Sequence, residues 1–352
     1  MVKQLRRAVL QGLRSCGVFH LVRNSQWRRN RLLILCYHGI SQEDEHLWRP
    51  RLYMPPDIFQ QRLEILKRGS YNVLSIEEGL RQLRAGELPP RSVVITFDDG
   101  GYDFYKQAYP LMKSYGFPVT VYQTTYYSDY QKPIFNLVCS YMLWKRRDTV
   151  LDKGKELGLD PPLDLRTELS RHRLVRKLVV ASETDELTGA QKNDVAVRLA
   201  KLLDIDYDQL VAKRVLQLMS AGEIAQLASE GVDFQLHTHR HRTPADEDLF
   251  RKEIQDNRRR LKELTKSRAV HFCYPSGVYE AQFLPWLQAE KVVSATTCDV
   301  DLASSRSNPL LLPRFVDTSA RSAHEFESWL VGVGSLLVFQ RTARQNYQPA
   351  PD

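Results

Sequence analysis

No acidic residue precedes Glu43, no stretch approaches the roughly 18 apolar residues that cross a membrane, and no two cysteines stand as Cys-x-x-Cys. Each absence removes a class. The five cysteines (Cys16, Cys36, Cys139, Cys273, Cys298) are odd in number and unpaired in spacing, so a disulfide framework is not indicated and a reduced, cytoplasmic setting is the simpler reading. Arg6, Arg7 and Arg14 interrupt the apolar run that a signal peptide requires. There is no internal repeat or low-complexity tract. Residues 1–31 carry eight bases and no acid, which accounts for the net charge of +8. The rest of the chain is near neutral, so a nucleic-acid surface spread over the whole body is not expected. Within that basic N-terminal segment Leu5, Val9, Leu10 and Leu13 fall at helical spacing. Such a stripe suits either peripheral contact with the inner face of a membrane or an ordinary solvated or partner-packed helix. The last residues, 340–352, form a polar tail.

What is present is a globular pattern: 43% hydrophobic residues over 352 positions suffice for a large core. Seven short apolar runs read as strands: Leu32–Tyr37, Val93–Phe97, Val119–Gln123, Val232–His237, Val270–Tyr274, Val292–Thr296 and Leu310–Phe315. Several are almost wholly apolar, as buried parallel strands are, and helical patterns separate them, so the fold class is α/β. Ser75-Ile-Glu-Glu78, Thr188-Gly-Ala-Gln191 and Ser220-Ala-Gly-Glu223 each read as a capping box at a helix start. The connection from Gln123 to Gly231 far exceeds the about 30 residues of a βαβ unit. Its four helical patterns make residues 128–219 a helical insertion between the third and fourth strands, expected to flank the site and select what enters it.

Polar residues of unusual type gather at the strand ends. Val93–Phe97 runs directly into Asp98-Asp99-Gly100-Gly101. Two adjacent carboxylates beside a buried strand repel each other and resist desolvation unless a cation or a proton relieves them. An Asp-Gly sequence also suits an ordinary turn. Strand Val232–His237 delivers His237-Thr238-His239-Arg240-His241, three of the nine histidines in five positions. His237 and His241, four apart, can share one side of a helical turn and converge on an ion, with His239 facing elsewhere; taken alone, the spacing also fits a surface turn. Two histidines and one carboxylate together would leave a divalent metal with open positions, the pattern of a catalytic site.

Thr96-Phe97-Asp98-Asp99-Gly100, then Tyr102-Asp103, then His237-Thr238-x-x-His241, resemble the first two motifs of the polysaccharide deacetylase (NodB-homology) family of carbohydrate esterases. Phe272-Cys-Tyr274-Pro275-Ser276-Gly277 resembles its third motif. Leu35-Cys-Tyr37-His38 resembles the opening of the exopolysaccharide-type branch, and Leu312-Pro313-Arg314 its closing strand. The resemblance runs from about Leu32 to Asp317 and skips the insertion, within a catalytic unit taken as residues 32–335. It implies a distorted (β/α) barrel of seven parallel strands with the site at their carboxyl ends. It further implies a divalent metal, Zn first and Co or Ni next, on Asp99, His237 and His241. Asp98 becomes the base toward the attacking water, Arg314 its partner, and the backbone N–H of Ser276 an oxyanion donor, with Tyr274 at the substrate. Many members have tyrosine where Ser276 stands, and the late Leu-x-His that often supplies the acid is missing. The branch pattern moves that role to His38.

The implied activity is hydrolysis of N-acetyl groups from sugars of a polysaccharide or lipid-linked glycan, a step of carbohydrate metabolism such as exopolysaccharide biosynthesis. Two rivals remain: a deformylase or deacylase of a polyprenyl-linked sugar, and a barrel that binds glycan without turnover. Released acetate against formate separates the first, and metal content with turnover the second.

Overall fold

The computed structural model describes residues 2–337, with side chains from residue 8 onward. The polar tail at 340–352 lies outside the described residues. Seven parallel strands make the barrel wall: β1 Arg31–Tyr37, β2 Ser92–Phe97, β3 Thr120–Gln123, β4 Asp233–Leu236, β5 His271–Cys273, β6 Ser294–Thr296 and β7 Phe315–Val316. They belong to a curled nine-stranded sheet that also holds the short parallel strand Asn72–Leu74 beside β2 and the antiparallel Ala303–Ser304 beside the start of β1. The order of the seven is β6-β5-β4-β3-β2-β1, with β7 pairing Leu35 and Cys36 of β1. The stretch leading into β7 pairs back to β6. Leu312 N–H donates to Ala295 O at 2.8 Å and Thr297 N–H to Leu312 O at 2.9 Å, which closes the ring into a distorted barrel. The seventh strand is therefore shorter than the apolar run Leu310–Phe315 suggests, because Pro313 cannot donate to a ladder.

Period-two alternation sorts each strand into two faces. Leu33, Leu35 and Tyr37 of β1 join Val93, Ile95 and Phe97 of β2 in the main core, beneath Phe59 and Leu63 of helix Pro56–Arg68. Their neighbours Leu32, Ile34 and Val94 pack instead on Ile76, Leu80 and Leu83 of helix Ile76–Ala85, at the end away from the site. That same second face continues upward into Cys36, Thr96 and Asp98, so it brings chemistry to the barrel mouth.

The basic N-terminal segment is built into the fold. Leu10 of helix Val2–Ser15 is buried with Phe19, Val331 and Val333, and Leu13 packs on the same cluster. Two residues of the stripe that could have faced a membrane thus pack on helix Ala323–Val331; the Leu5 side chain lies outside the described ones. Arg28 is fully buried, with Nε donating to Leu330 O (2.9 Å), Nη1 to Arg31 O (2.7 Å) and Nη2 to Ser92 O (3.2 Å). No helix among the described residues is long and apolar enough to cross a membrane.

The insertion is helical and has a core of its own. Helices Phe135–Lys145, Glu168–Thr184, Gly189–Leu202 and Tyr207–Ala212 enclose Val138, Met142, Leu178, Leu199 and Leu210. Thr188 and Ser220 make full reciprocal capping boxes, whereas Ser75 only accepts from Glu78 N–H. The chain returns from the insertion onto the Asp-Asp-Gly-Gly turn: Tyr102 N–H donates to Gln217 O (2.8 Å) and Met219 N–H to Gly100 O (3.0 Å). The added helices therefore brace the turn that carries the carboxylates.

Candidate metal centre

Asp99 and Gly100 both adopt left-handed backbone, with φ of 70° and 81°. Asp tolerates that region, and Gly100 is required there because a Cβ would lie 1.9 Å from Gln123 Oε1. The double reversal aims the two carboxylates apart. Asp98 turns down into the barrel and Asp99 stands in the cavity at its mouth.

Asp98 is buried and forms a two-pronged ion pair with Arg314, Nη1 to Oδ1 at 2.7 Å and Nη2 to Oδ2 at 2.8 Å. Burial opposes its charge, but Arg314, helped by His38 and His237, outweighs burial and holds the carboxyl well below its usual range. Arg314 is itself fixed, donating through Nε to Thr297 O at 2.9 Å. Cys36 Sγ and Cys273 Sγ approach Asp98 Oδ2 at 3.5 and 3.4 Å. His38 Nε2 lies 3.8 Å from the same oxygen, partly exposed to the cavity.

His237 Nε2 and His241 Nε2 lie 3.1 and 3.3 Å from Asp99 Oδ1, with ring centroids 5.0 Å apart. The convergence does not come from a helical turn. Residues 237–244 form a loop in which Thr238 and His241 take left-handed backbone (φ 60° and 59°), and Arg242 N–H donates to Thr238 Oγ1 at 3.0 Å. Helix Glu247–Thr265 fixes this loop. Asn257 Oδ1 accepts His237 N–H (3.0 Å), its Nδ2 donates to Gln123 O and Thr125 Oγ1, and Glu253 Oε2 accepts Arg240 N–H (2.7 Å). His239 points away, with Nδ1 2.9 Å from Thr125 Oγ1 and its ring edge-on to Tyr126.

The donor set fits a divalent cation. His237 Nδ1 lies 2.9 Å from the carbonyl of Cys273 and can only donate to it, so in the neutral ring Nε2 is the lone-pair nitrogen, and it faces the Asp99 carboxylate. Two acceptors at that distance repel each other unless a cation or a proton sits between them. Two further clusters among the described residues, Cys36/His38/Asp98 and Asp98/His237/Cys273, share Asp98. Both oxygens of Asp98 already face the Arg314 guanidinium, whose fixed positive charge disfavours a metal there.

Ser276 lies on the cavity wall with φ 56°, between Pro275 and Gly277. Gly277 N–H donates to Tyr274 O and Val278 N–H to Pro275 O, while Ser276 N–H has no protein acceptor among the described residues. Tyr274 departs from the sequence expectation: it is fully buried, its hydroxyl donates to Leu310 O at 3.1 Å, and its ring packs on Phe272. The cause is alternation: Cys273 faces Asp98, so Phe272 and Tyr274 face the helix layer. The aromatic wall of the cavity is instead Tyr126, Tyr127 and Tyr130, at the start of the insertion, which sequence reading passed over.

Asp103 accepts the N–H of Ile40 at 2.6 Å, pinning the segment that follows His38. Burial, reinforced by Glu45, pushes its carboxyl up to about 8. The folded protein thus keeps a proton that the unfolded chain has lost above the ordinary carboxylate range near pH 4. This contribution to stability is complete below about pH 4 and declines as pH rises toward 8. Thermal melting of wild type minus Asp103→Asn is expected to show that slope; a pH-independent difference would contradict it.

The sequence model of the polysaccharide deacetylase family matches residues 85–159 and 208–292, and the gap falls within the insertion. The chain is 34% identical over 93 residues to YxkH of Bacillus subtilis (strain 168), named for a polysaccharide deacetylase; the match covers 26% of this chain and 31% of that protein. It is 26% identical over 99 residues to the poly-beta-1,6-N-acetyl-D-glucosamine N-deacetylase of Escherichia coli (strain K12), covering 28% of this chain and 14% of that one. The matches therefore span a third or less of these curated relatives. Among solved structures, the Streptococcus pyogenes deacetylase PplD in complex with acetate superposes with a TM-score of 0.56 at 22% identity, over 86% of this chain and 97% of that one. IcaB from Ammonifex degensii superposes with a TM-score of 0.51 at 15% identity, over 86% and 97%. At those identities the likeness is one of fold.

Proposed function

We propose, from the match of the polysaccharide deacetylase family model to residues 85–159 and 208–292, that the chain is a member of that family and hydrolyses N-acetyl groups on sugar units of a glycan with the help of a divalent metal, zinc being the first candidate. One observation carries the reading: an ionised, arginine-paired carboxylate, Asp98, stands beside the Asp99/His237/His241 trio at the mouth of one cavity.

Asp99 Oδ1 and the Nε2 atoms of His237 and His241 would hold the metal. When bound, such a cation supplies Lewis acidity, lowering the pKa of water and polarising a carbonyl. Asp98, kept ionised by Arg314, accepts the proton of the water that attacks the acetamide carbon. The Ser276 N–H donates to the oxygen on which negative charge develops. His38 returns a proton to the departing amine nitrogen, since Asp98 is committed to the water side. The products are a free amine and acetate.

The test is mass spectrometry of short N-acetylated oligosaccharides incubated with the zinc-loaded protein. Loss of one acetyl group per turnover with acetate released supports the reading; formate released from an N-formyl substrate alone would move it to a deformylase. For the acid, His38→Ala is expected to retain metal while kcat falls by roughly 10²–10⁴, the range for losing such a group. Wild-type turnover in that variant would remove His38 from the role.

A further inference from the structure

The cavity does not end at the barrel mouth. Its volume of about 1520 Å³ exceeds the roughly 300–1,000 Å³ of ordinary small-ligand sites, and its wall runs on from His237 and His241 into the helical insertion. There it is formed by Phe135, Leu137, Val179, Leu187, Ala196 and Leu216. All six belong to, or pack against, the insertion's own core. Phe135, Leu137 and Leu187 are half-buried along a space that opens onto the metal trio, and Val179, Ala196 and Leu216, themselves almost wholly buried, complete its wall.

Several polar groups of this lobe are bonded within the protein. Ser182 Oγ donates to Val179 O at 2.7 Å, Tyr207 Oη to Asn193 Oδ1 at 2.8 Å, and Tyr130 Oη to Gly189 O. Thr188 Oγ1 donates to Gln191 Oε1 at 2.8 Å as part of its cap. The charged members Glu183 and Lys192 lie at the outer rim, where they share a shallow depression with Arg242. A sugar carries a hydroxyl on nearly every carbon and needs a partner for each one that is buried. This wall offers few. Water is also poorly held against apolar walls, whereas a hydrocarbon chain buries apolar surface there without leaving a polar group unpaired.

We propose that the lobe holds the hydrocarbon chain of an amphiphilic substrate, so that the enzyme acts on a lipid-linked N-acetylated saccharide whose sugar head lies at Asp98, His237 and His241. The placement of the head rests on the deacetylase reading; the lobe's preference for a hydrocarbon does not.

The test is calorimetric binding to the intact chain of the methyl, octyl and dodecyl glycosides of one short N-acetylglucosamine oligosaccharide, each below its micelle concentration. Affinity is expected to rise by up to roughly fourfold per methylene until the lobe is full. Ala196→Phe, or the milder Leu187→Phe should the first not fold, is expected to flatten that rise while leaving methyl glycoside binding unchanged. A prenyl glycoside of matched carbon number, compared with the alkyl one, distinguishes a prenyl from an acyl lipid. Equal affinity across the series, or a rise that neither filled variant alters, overturns the proposal. Acetate release from the methyl glycoside, which does not enter the lobe, reads the deacetylase chemistry separately. Release without chain-length dependence sinks the lobe alone, and chain-length dependence without release sinks the chemistry alone.

Discussion

Asp99→Ala, His237→Ala and His241→Ala are each expected to lose the divalent metal and with it all but background turnover. Each removes one of three protein ligands, so the loss should exceed the roughly 10–100-fold that follows removal of an outer partner of a metal site. The geometry makes His237 the most sensitive of the three. It is buried, with Nδ1 2.9 Å from Cys273 O and its backbone N–H on Asn257, and no neighbouring side chain can take over its Nε2. His241 is more exposed and reaches Asp99 from a loop, so His241→Ala should leave more residual metal than His237→Ala. Elemental analysis after dialysis decides: full occupancy in any of the three removes that residue from the set. His239→Ala should keep its metal, because its ring is turned toward Thr125 and Tyr126.

Much of this centre is legible in the sequence, for a physical reason. Adjacent carboxylates after an apolar run, and histidines crowded into five positions, are expensive unless they serve chemistry, so they stand out against a core pattern. The strands are equally visible, since buried parallel strands read as unbroken apolar runs. What is hidden is whatever depends on orientation. A one-residue alternation decides that Cys273, not Tyr274, meets Asp98, and a tyrosine in a motif looks the same on either face. Glu253 and Asn257, which fix the histidine loop, sit on an amphipathic helix where polar residues are ordinary. Leu10 and Leu13 show the same limit, because a stripe at helical spacing does not say whether a membrane or helix Ala323–Val331 covers it.

Asp98→Asn separates the base from the ligands and is expected to do two things at once. The amide cannot take a proton from water, so turnover should be lost with the metal still bound to Asp99, His237 and His241. It should also lower stability. Arg314 is fully buried and presents Nη1 and Nη2 to the two oxygens of Asp98. In the variant one of those positions becomes an NH₂ donor facing a donor, and the guanidinium loses its counter-charge. Breaking a buried pair in this way costs about 3–5 kcal/mol, visible as a fall in Tm. Arg314→Gln made in the Asp98→Asn background removes the stranded charge and should restore part of that Tm while restoring no activity. The metal readout keeps the two effects apart: an inactive Asp98→Asn that has also lost zinc would mean that Asp98 shapes the ligand set and is not the base. Near-normal kcat in the folded, zinc-bound variant would leave His38, 3.8 Å from the same carboxylate, as the group that takes the proton from water.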